Sequence, residues 1–184
     1  MDIEKFFPDD ENIDFKKLFS DMGLDLTQLE DEFENFSTKK ELRYEIINEN
    51  TIQPKYNYES DSGFDLHSTE DISVEPFGRV LVPTGLRFDI PDGTEIQVRP
   101  KSGLALKQGL TVLNTPGTVD SGYDGEIKVI VFNTNNSVFE IKKGMKIAQA
   151  VLCPVINGKW VTLTQVDSID NKERGDNGFG STGI

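Results

Sequence analysis

The segment LNTPGTVDSGYDG, residues 113–125, contains two side chains that could do chemistry on a nucleotide. The amide of Asn114 both donates and accepts hydrogen bonds, which suits the edge of a pyrimidine. The carboxylate of Asp120, held near a bound phosphate, could act as a general base on water. Asn and Asp are also common turn formers, and that is the simpler explanation of either residue taken alone.

A second candidate is the string RPKSGLALKQGL, residues 99–110, which follows the strand-like EIQV. Ser102 stands at a predicted helix N-cap, helix formers follow it, and Gly109 is a stop signal. A helix start beside Lys101 would present free N–H groups to a phosphate. The same string also fits an ordinary capped connector between two strands.

Two further strings have residue types that suit a ligand. In KKGMKIAQAVLCPV, residues 142–155, the amide of Gln149 lies among apolar neighbours, so it must pair with the backbone or face a ligand. In RGDNGFGSTG, residues 174–183, glycines accompany Arg174 and Phe179, which is the composition of a lid that grips phosphate and stacks on a base. By composition alone, that tail could equally be a disordered end.

These candidates need a framework, and the pattern from Tyr44 onward predicts an all-β one. Short β-branched runs alternate with Gly, Pro, Asn and Asp: YEIIN, DISVEPF, RVLVPTGLRFDI, TEIQVRP, LTVLN, GEIKVIVFN, VFEIKKG, KIAQAVLCPV and KWVTLTQV. Many short strands at regular spacing indicate a sandwich or barrel. A turn at residues 115–117 would join two of the strands as a hairpin, with Asn114 and Asp120 flanking it.

The N-terminal segment has a different character. Residues 1–41 hold thirteen Asp and Glu against five Lys, whereas the remaining 143 residues hold nineteen acids against fourteen bases. A Thr27–Glu30 capping box precedes the second of two apolar patterns at helical spacing. These patterns predict two short amphipathic helices, formed around Phe15, Leu18, Phe19 and Met22, and around Leu29, Phe33 and Phe36.

Composition excludes several classes of function. A net charge of −13 argues against nonspecific binding to nucleic acid or anionic lipid, because phosphate neutralisation needs clustered Lys and Arg. The single cysteine rules out an intramolecular disulfide and a zinc site with four thiolate ligands, which points to a reducing compartment. The acidic N-terminus does not resemble a signal peptide, and no apolar run is long enough to span a membrane. We therefore expect a soluble, cytoplasmic protein.

Five strings in this order resemble the five motifs of the trimeric dUTPase family over about residues 44–184: SDSGFDLHS, RPKSGLALKQG, LNTPGTVDSGYDG, KKGMKIAQ and RGDNGFGSTG. The resemblance implies a jelly-roll-like β-barrel of the dUTPase-like β-clip type, with a short internal helix. It implies a homotrimer whose active sites combine motifs from all three subunits. The implied activity is hydrolysis of dUTP to dUMP and pyrophosphate, which limits uracil in DNA and supplies dUMP for dTMP synthesis.

The resemblance also implies roles for individual residues. Asp120 matches the aspartate that activates the water attacking the α-phosphorus. Tyr123 matches the tyrosine that packs under the sugar and excludes a 2′-hydroxyl. Asn114 matches the residue that hydrogen-bonds uracil together with the hairpin backbone. Ser102 and Gln149 match residues at the phosphates.

In the tail, Arg174 matches a phosphate-binding arginine and Phe179 a phenylalanine that covers uracil. Asp65 matches a supporting first-motif aspartate. Mg²⁺ in this family is carried chiefly by the three phosphates and by water, so no protein ligand is expected. Further substrate contacts are implied at Lys101, Gly103, Gly117, Thr118, Val119, Lys128, Gly180, Ser181 and Thr182.

Two features depart from the family pattern. Lys101 stands where the second motif usually has arginine, which keeps the charge but loses the bidentate fork. The acidic extension has no counterpart in the family. We therefore expect three parts: a helical extension over residues 1–41, a β-barrel over residues 42–169, and a glycine-rich arm over residues 170–184 that closes over the site.

Two rival functions remain open at this point. The related dCTP deaminases use a glutamate in the strand after the hairpin, and Ile130 occupies that place here. The other rival is an interaction protein whose N-terminal segment binds a protein partner and whose pocket senses nucleotide. Retention of the catalytic positions favours an enzyme, with any partner of residues 1–41 as an addition.

Overall fold

The structure is a computed structural model that describes residues 41–170, 172, 173, 175 and 176. The predicted helices of the acidic extension and most of the arm therefore lie outside the described residues. From Tyr44 onward the chain forms one compact unit. In chain order its elements are β1 Arg43–Ile46, β2 Phe64–His67, β3 Ile72–Val74, β4 Arg79–Pro83, β5 Leu86–Asp89, β6 Thr94–Arg99, α1 Ser102–Gln108, β7 Leu110–Val112, β8 Gly117–Asp120, β9 Lys128–Asn133, β10 Phe139–Ile141 and β11 Lys146–Pro154.

The strands form four separate sheets, with the orders β2-β11-β6-β8, β4-β9-β7, β10-β3 and β1-β5. The prediction of a mostly β protein with one short helix is confirmed. A closed barrel is not formed by the strands of the described ranges. The four-stranded sheet carries most of the candidate residues, so its geometry decides where they lie.

Strand β6 shows how the sequence builds this sheet. Ile96 and Val98 are buried, while the alternating Glu95, Gln97 and Arg99 are only partly covered. Successive side chains of a strand point to opposite faces, so this period of two gives β6 one apolar and one polar face. The apolar face belongs to the core, and the polar face is available for a ligand or another chain.

The short helix α1 follows β6 with one difference from the expected boundaries. Ser102 is the first helical residue and Lys101 is the N-cap, which has extended backbone and makes no side-chain capping bond. The predicted stop is confirmed, since Gly109 has φ 61° and donates its N–H to Leu104 O. This left-handed conformation favours glycine because it has no Cβ to clash.

The predicted hairpin of the third-motif segment, residues 113–125, is wrong in its pairing. β7 pairs with β9, and β8 pairs with β6, so the two strands flanking the turn belong to different sheets. Both β6 and β9 are six-residue strands with alternating buried side chains. They offer a longer apolar face than β7 and β8 could offer each other, and the turn becomes a crossover between sheets.

The predicted strand over residues 159–166 is also not formed. The segment KWVTLTQV has no strand assignment, and the side chain of Leu163 is 95% exposed. β-Branched residues favour a strand only where a neighbouring strand supplies hydrogen bonds and packing. Within one chain the described residues supply no such neighbour, so the segment forms no strand despite its β propensity.

We expect Ile96→Ala to lower the free energy of unfolding by about 2–5 kcal/mol, because Ile96 is fully buried in β6, an inner strand of the four-stranded sheet. Leu106→Ala is the control, since Leu106 on α1 is 85% exposed. Urea unfolding at one protein concentration checks both variants. Equal effects at the two positions would contradict the assignment of the core.

Candidate active site

Asp65 on β2 is the centre of an ion cluster, formed with Lys101 and Lys146. Its side chain is buried, Lys101 Nζ donates to Oδ1, and Lys146 Nζ lies 2.6 Å from Oδ2. Burial raises the pKa of Asp65, but the hydrogen bonds and charges of the two lysines outweigh burial and hold the pKa below its ordinary value. Two ammonium groups thus surround one ionised carboxylate, which leaves the cluster positive.

His67 lies beside this cluster at the end of β2. Burial lowers its pKa, and the charge of Asp65, which would raise it, does not compensate. Its Nδ1 is buried and has no hydrogen-bond partner in the described part of the chain. His67 is therefore neutral at pH 7 and leaves the positive charge of the two lysines as the local field.

Gln149 connects this cluster to the second-motif loop. It is paired with Asp65 on one side and with Arg99 on the other, so the three side chains share one face of the sheet. Its Nε2 donates to Pro100 O at 2.9 Å. The first, second and fourth motifs are therefore brought together by the pairing of three adjacent strands.

A cavity of about 550 Å³ opens beside Gln149 and Ser102, and we call it the first cavity. Several polar side chains line it, and the guanidinium of Arg99 is held toward Gln97 by two hydrogen bonds of 3.1 and 2.6 Å. A guanidinium, a hydroxyl and an amide are groups that can bind an anion. The lining residues are Gln97, Arg99, Pro100, Ser102, Thr115, Pro116 and Gln149.

A second cavity of about 300 Å³ lies on the other side of the third-motif segment. Asn114, Asp120 and Tyr123 all line it, as the sequence predicts for a site that binds one ligand. Its other lining residues are Leu81, Thr118, Val119, Glu126, Ile127, Lys128 and Ile130.

The side chains of the second cavity are held by contacts within the chain. Tyr123 donates its hydroxyl to Glu126 O at 3.0 Å, and its ring is 48% exposed. Lys128 Nζ lies 3.3 Å from Glu126 Oε2, so it is engaged by a carboxylate. Asp120 is exposed at the end of β8, where its carboxylate is open to water.

Strand register separates Asp120 from the first cavity within one chain. Asp120 is paired with Glu95, which lies four residues before Arg99 on β6. At roughly 3.3 Å per residue this is about 13 Å along the strand, and Ser102 lies further still. Among the described residues, the linings of the two cavities have no member in common. One chain therefore presents two half-sites facing different spaces.

Comparison with known proteins identifies the family. A dUTPase family model matches residues 49–183. A deoxyuridine 5′-triphosphate nucleotidohydrolase of Picosynechococcus sp. is 51% identical over 142 residues, covering 77% of this chain and 98% of that protein. One from Nautilia profundicola is 50% identical, with the same coverage. The chain belongs to the dUTPase family.

Solved structures agree with this assignment. A dUTPase of Staphylococcus bacteriophage 80alpha with dUpNHpp has a TM-score of 0.72 and 25% identity, covering 79% of this chain and 100% of that chain. A phage phi11 dUTPase from S. aureus, in which a structural Mg(II) ion was described, has a TM-score of 0.64 and 23% identity. It covers 70% of this chain and 98% of that chain. The second likeness supports the fold alone.

The dUTPase motifs in the sequence did not predict that Lys146 and Arg99 lie at the candidate site. Lys146 is part of the fourth-motif string, and its contact with Asp65 becomes visible only when β11 is set against β2. Arg99 could have been found, since alternation along β6 places it on the polar face with Gln97. The tail residues Arg174, Phe179, Gly180, Ser181 and Thr182 lie outside the described residues.

The described residues offer Mg²⁺ no cluster of protein ligands. In the described ranges no three His, Cys, Asp or Glu side chains converge in a way that could hold a metal ion. The buried carboxylate of Asp65 is already engaged by two lysines, so it does not fit as a direct ligand. Lys101 donates to the same carboxylate, and its ammonium has further N–H groups, so the predicted contact of Lys101 with substrate stays a prediction.

We expect Asp65→Asn to lower the free energy of unfolding at pH 7 by about 1–3 kcal/mol, because an amide cannot accept from both lysines with a full charge. The pKa of Asp65 in the folded protein is below its ordinary value of 3.8, so the stabilisation is full above pH 3.8 and is lost as pH falls through the folded pKa. The difference between wild type and variant should therefore shrink in acid below that value.

Urea unfolding at pH 7 and at pH 3 measures this effect. Asp167→Asn is the control, because Asp167 is exposed on the segment after β11. A wild-type advantage that stayed constant from pH 7 to pH 3 would show that Asp65 stabilises the fold by something other than its charge.

Proposed function

We propose that this chain is a dUTP pyrophosphatase that hydrolyses dUTP to dUMP and pyrophosphate. The observation that carries the proposal is the second cavity, where an amide, an aromatic ring and an open carboxylate line one space in a member of the dUTPase family. Such an enzyme limits uracil in DNA and supplies dUMP for dTMP synthesis.

Substrate recognition divides between the two half-sites. The amide of Asn114 can pair with uracil N3–H and O4, and the Tyr123 ring forms the floor for deoxyribose. The backbone of Gly117, Thr118 and Val119 borders the base. The triphosphate occupies the first cavity, where Ser102 and Gln149 offer hydrogen bonds near the positive ion cluster, with Gly103 next to Ser102 in α1.

The chemical step needs one base and one leaving group. Asp120 accepts a proton from water as the water oxygen forms a bond to the α-phosphorus. The bond from the α-phosphorus to the bridging oxygen breaks, and pyrophosphate leaves with that oxygen. A Mg²⁺ ion carried by the phosphates and water would neutralise charge on the triphosphate. In this proposal none of these protein groups binds the metal ion directly.

The rival reaction, deamination of a cytosine nucleotide, has little support at this site. Ile130, at the position where the deaminases have glutamate, contributes an apolar surface to the second cavity. The other carboxylate of the lining, Glu126, is engaged by Gly85 N–H at 2.8 Å and by Lys128 at 3.3 Å. Among the described residues, Asp120 is the lining carboxylate that makes no side-chain hydrogen bond or ion pair, which suits activation of water.

A homotrimer with shared sites accounts for the two half-sites. Asp120 of one copy cannot serve a phosphate in the first cavity of the same copy, because the register holds them apart. The segment after β11 supports assembly, since several apolar side chains are exposed there. These are Ile156, Trp160, Val161, Leu163, Val166 and Ile169. A second copy of the chain is the partner that this segment fits.

The remaining parts of the proposal concern the ends of the chain and its location. The arm over residues 170–184 would close over bound nucleotide, with Arg174 at the phosphates and Phe179 on uracil. The extension over residues 1–41 would be an addition to the enzyme that could take a protein partner. In the described part of the chain no helix is long and apolar enough to cross a membrane. A cytoplasmic location suits the substrate and the single cysteine.

Asp120→Asn should lower kcat for dUTP by about 10²- to 10⁴-fold with substrate still bound, because the change removes the base and keeps the shape. Asp124→Asn is the matched control, since Asp124 is exposed on the same turn and does not line the second cavity. In ¹⁸O-water the wild type should place the label in dUMP. Label in pyrophosphate would move the attack away from the α-phosphorus.

Hybrid trimers test whether sites are shared. Asp120→Asn and Gln149→Ala chains are unfolded together, refolded as a 1:1 mixture, and compared with each variant refolded alone. If one copy supplies Asp120 and another supplies Gln149, roughly one quarter of the sites in random hybrids carry both groups, and activity returns. If both groups act within one chain, no hybrid site is complete and the mixture stays as inactive as its parents.

A further inference from the structure

Gly125 lies directly against the side chain of Tyr123. A Cβ atom at Gly125 would overlap Tyr123 Oη and would be 2.6 Å from Cζ and 3.1 Å from Cε2. Non-bonded carbon atoms are comfortable at about 3.5–4.0 Å, so any larger residue at this position requires the ring to move. The Tyr123 ring can therefore occupy its position only because Gly125 has no side chain.

The peptide at Glu126, which accepts a hydrogen bond from the Tyr123 hydroxyl, is itself held by hydrogen bonds to residues 84–86. The Tyr123 hydroxyl donates to Glu126 O, and Glu126 Oε1 accepts from Gly85 N–H at 2.8 Å. The next residue is held twice, because Ile127 N donates to Leu86 O at 2.8 Å and Ile127 O accepts from Thr84 Oγ1 at 2.6 Å. Thr84, Leu86 and Ile127 are buried.

The direction in which the ring can yield follows from these contacts. Tyr123 lines the second cavity, whereas Gly125 does not, so the ring lies between Gly125 and the cavity. The peptide behind the ring is tied to a buried turn and cannot retreat. A methyl group at Gly125 therefore displaces the ring toward the space proposed for the deoxyribose.

We propose that Gly125 is a positioning residue that sets the depth of the Tyr123 ring and thereby the discrimination between deoxyribose and ribose. This inference rests on the proposed function, in which the ring is the floor for the sugar. Gly125 acts through Tyr123 and does not touch the substrate. The Tyr123 ring rests against the peptide of Glu126, which is held in place.

The test compares kcat/KM for dUTP and UTP in wild type, Gly125→Ala and Gly122→Ala. A displacement of about 1 Å can cost about 10²-fold in rate, so Gly125→Ala should lower the dUTP-to-UTP ratio by roughly tenfold or more, mainly through dUTP. Gly122 is the matched control on the same turn, because a Cβ there meets no atom within 4 Å in the described part of the chain. Gly122→Ala should keep the wild-type ratio.

A second pair of variants shows whether the ring transmits the effect. Tyr123→Ala should itself lower the ratio, and adding Gly125→Ala to it should change the ratio little, because the methyl group then has no ring to displace. The double variant also restores space if Gly125→Ala alone folds poorly. An equal effect of Gly125→Ala with and without the ring would overturn the inference, because distortion of the backbone would then be the cause.

The outcomes separate this inference from the proposed function. If wild type prefers dUTP and Tyr123→Ala lowers the preference, but Gly125→Ala matches wild type, the enzyme assignment stands and the positioning role is wrong. If Tyr123→Ala leaves the ratio unchanged, the ring does not read the sugar, and the role of Gly125 is wrong with it. If wild type releases no pyrophosphate from dUTP, the proposed function itself fails.

Discussion

The register of β6 between β8 and β11 is the constraint on which the candidate site depends. It places three rows of side chains on the polar face of one sheet. The rows are Asp65 with Gln149 and Arg99, then Val151 with Gln97 and Thr118, and then Cys153 with Glu95 and Asp120. A slip of one residue would send the buried Ile96 and Val98 to the surface, so burial fixes the rows. The spacing of the polar groups is thus set by the apolar face behind them.

The ion cluster at one corner of this sheet supplies the local field. A buried carboxylate between two lysines is stable only because both ammonium groups are present, and together they leave an excess of positive charge. That excess lies beside a cavity whose other walls offer a hydroxyl and an amide. The overall charge of −13 therefore says little about what this corner attracts, because distant acids are screened in salt while these groups are close together.

Much of this organisation can be predicted from the sequence, where the signal is local. The alternation in TEIQVR, the stop at Gly109 and the order of the motifs all agree with the structure. What could not be predicted depends on which strands meet. The start of α1 at Ser102, the failure of the expected hairpin, and the contact of Lys146 with Asp65 follow from tertiary pairing. The unformed strand over residues 159–166 belongs to the same class, because the described residues supply no neighbouring strand for it.

The exposed apolar segment after β11 has a consequence for the life of a newly made chain. Leu163 and Ile169 are 95% and 80% exposed, so a lone copy has a strip of exposed apolar surface. Unfolded chains could bind to this strip and aggregate. In the proposed assembly a second copy covers this strip, and higher concentration brings copies together sooner, but it also brings wrong partners. The yield of soluble protein then depends on whether correct assembly is faster than aggregation. Slow synthesis or the presence of a holding chaperone favours correct assembly.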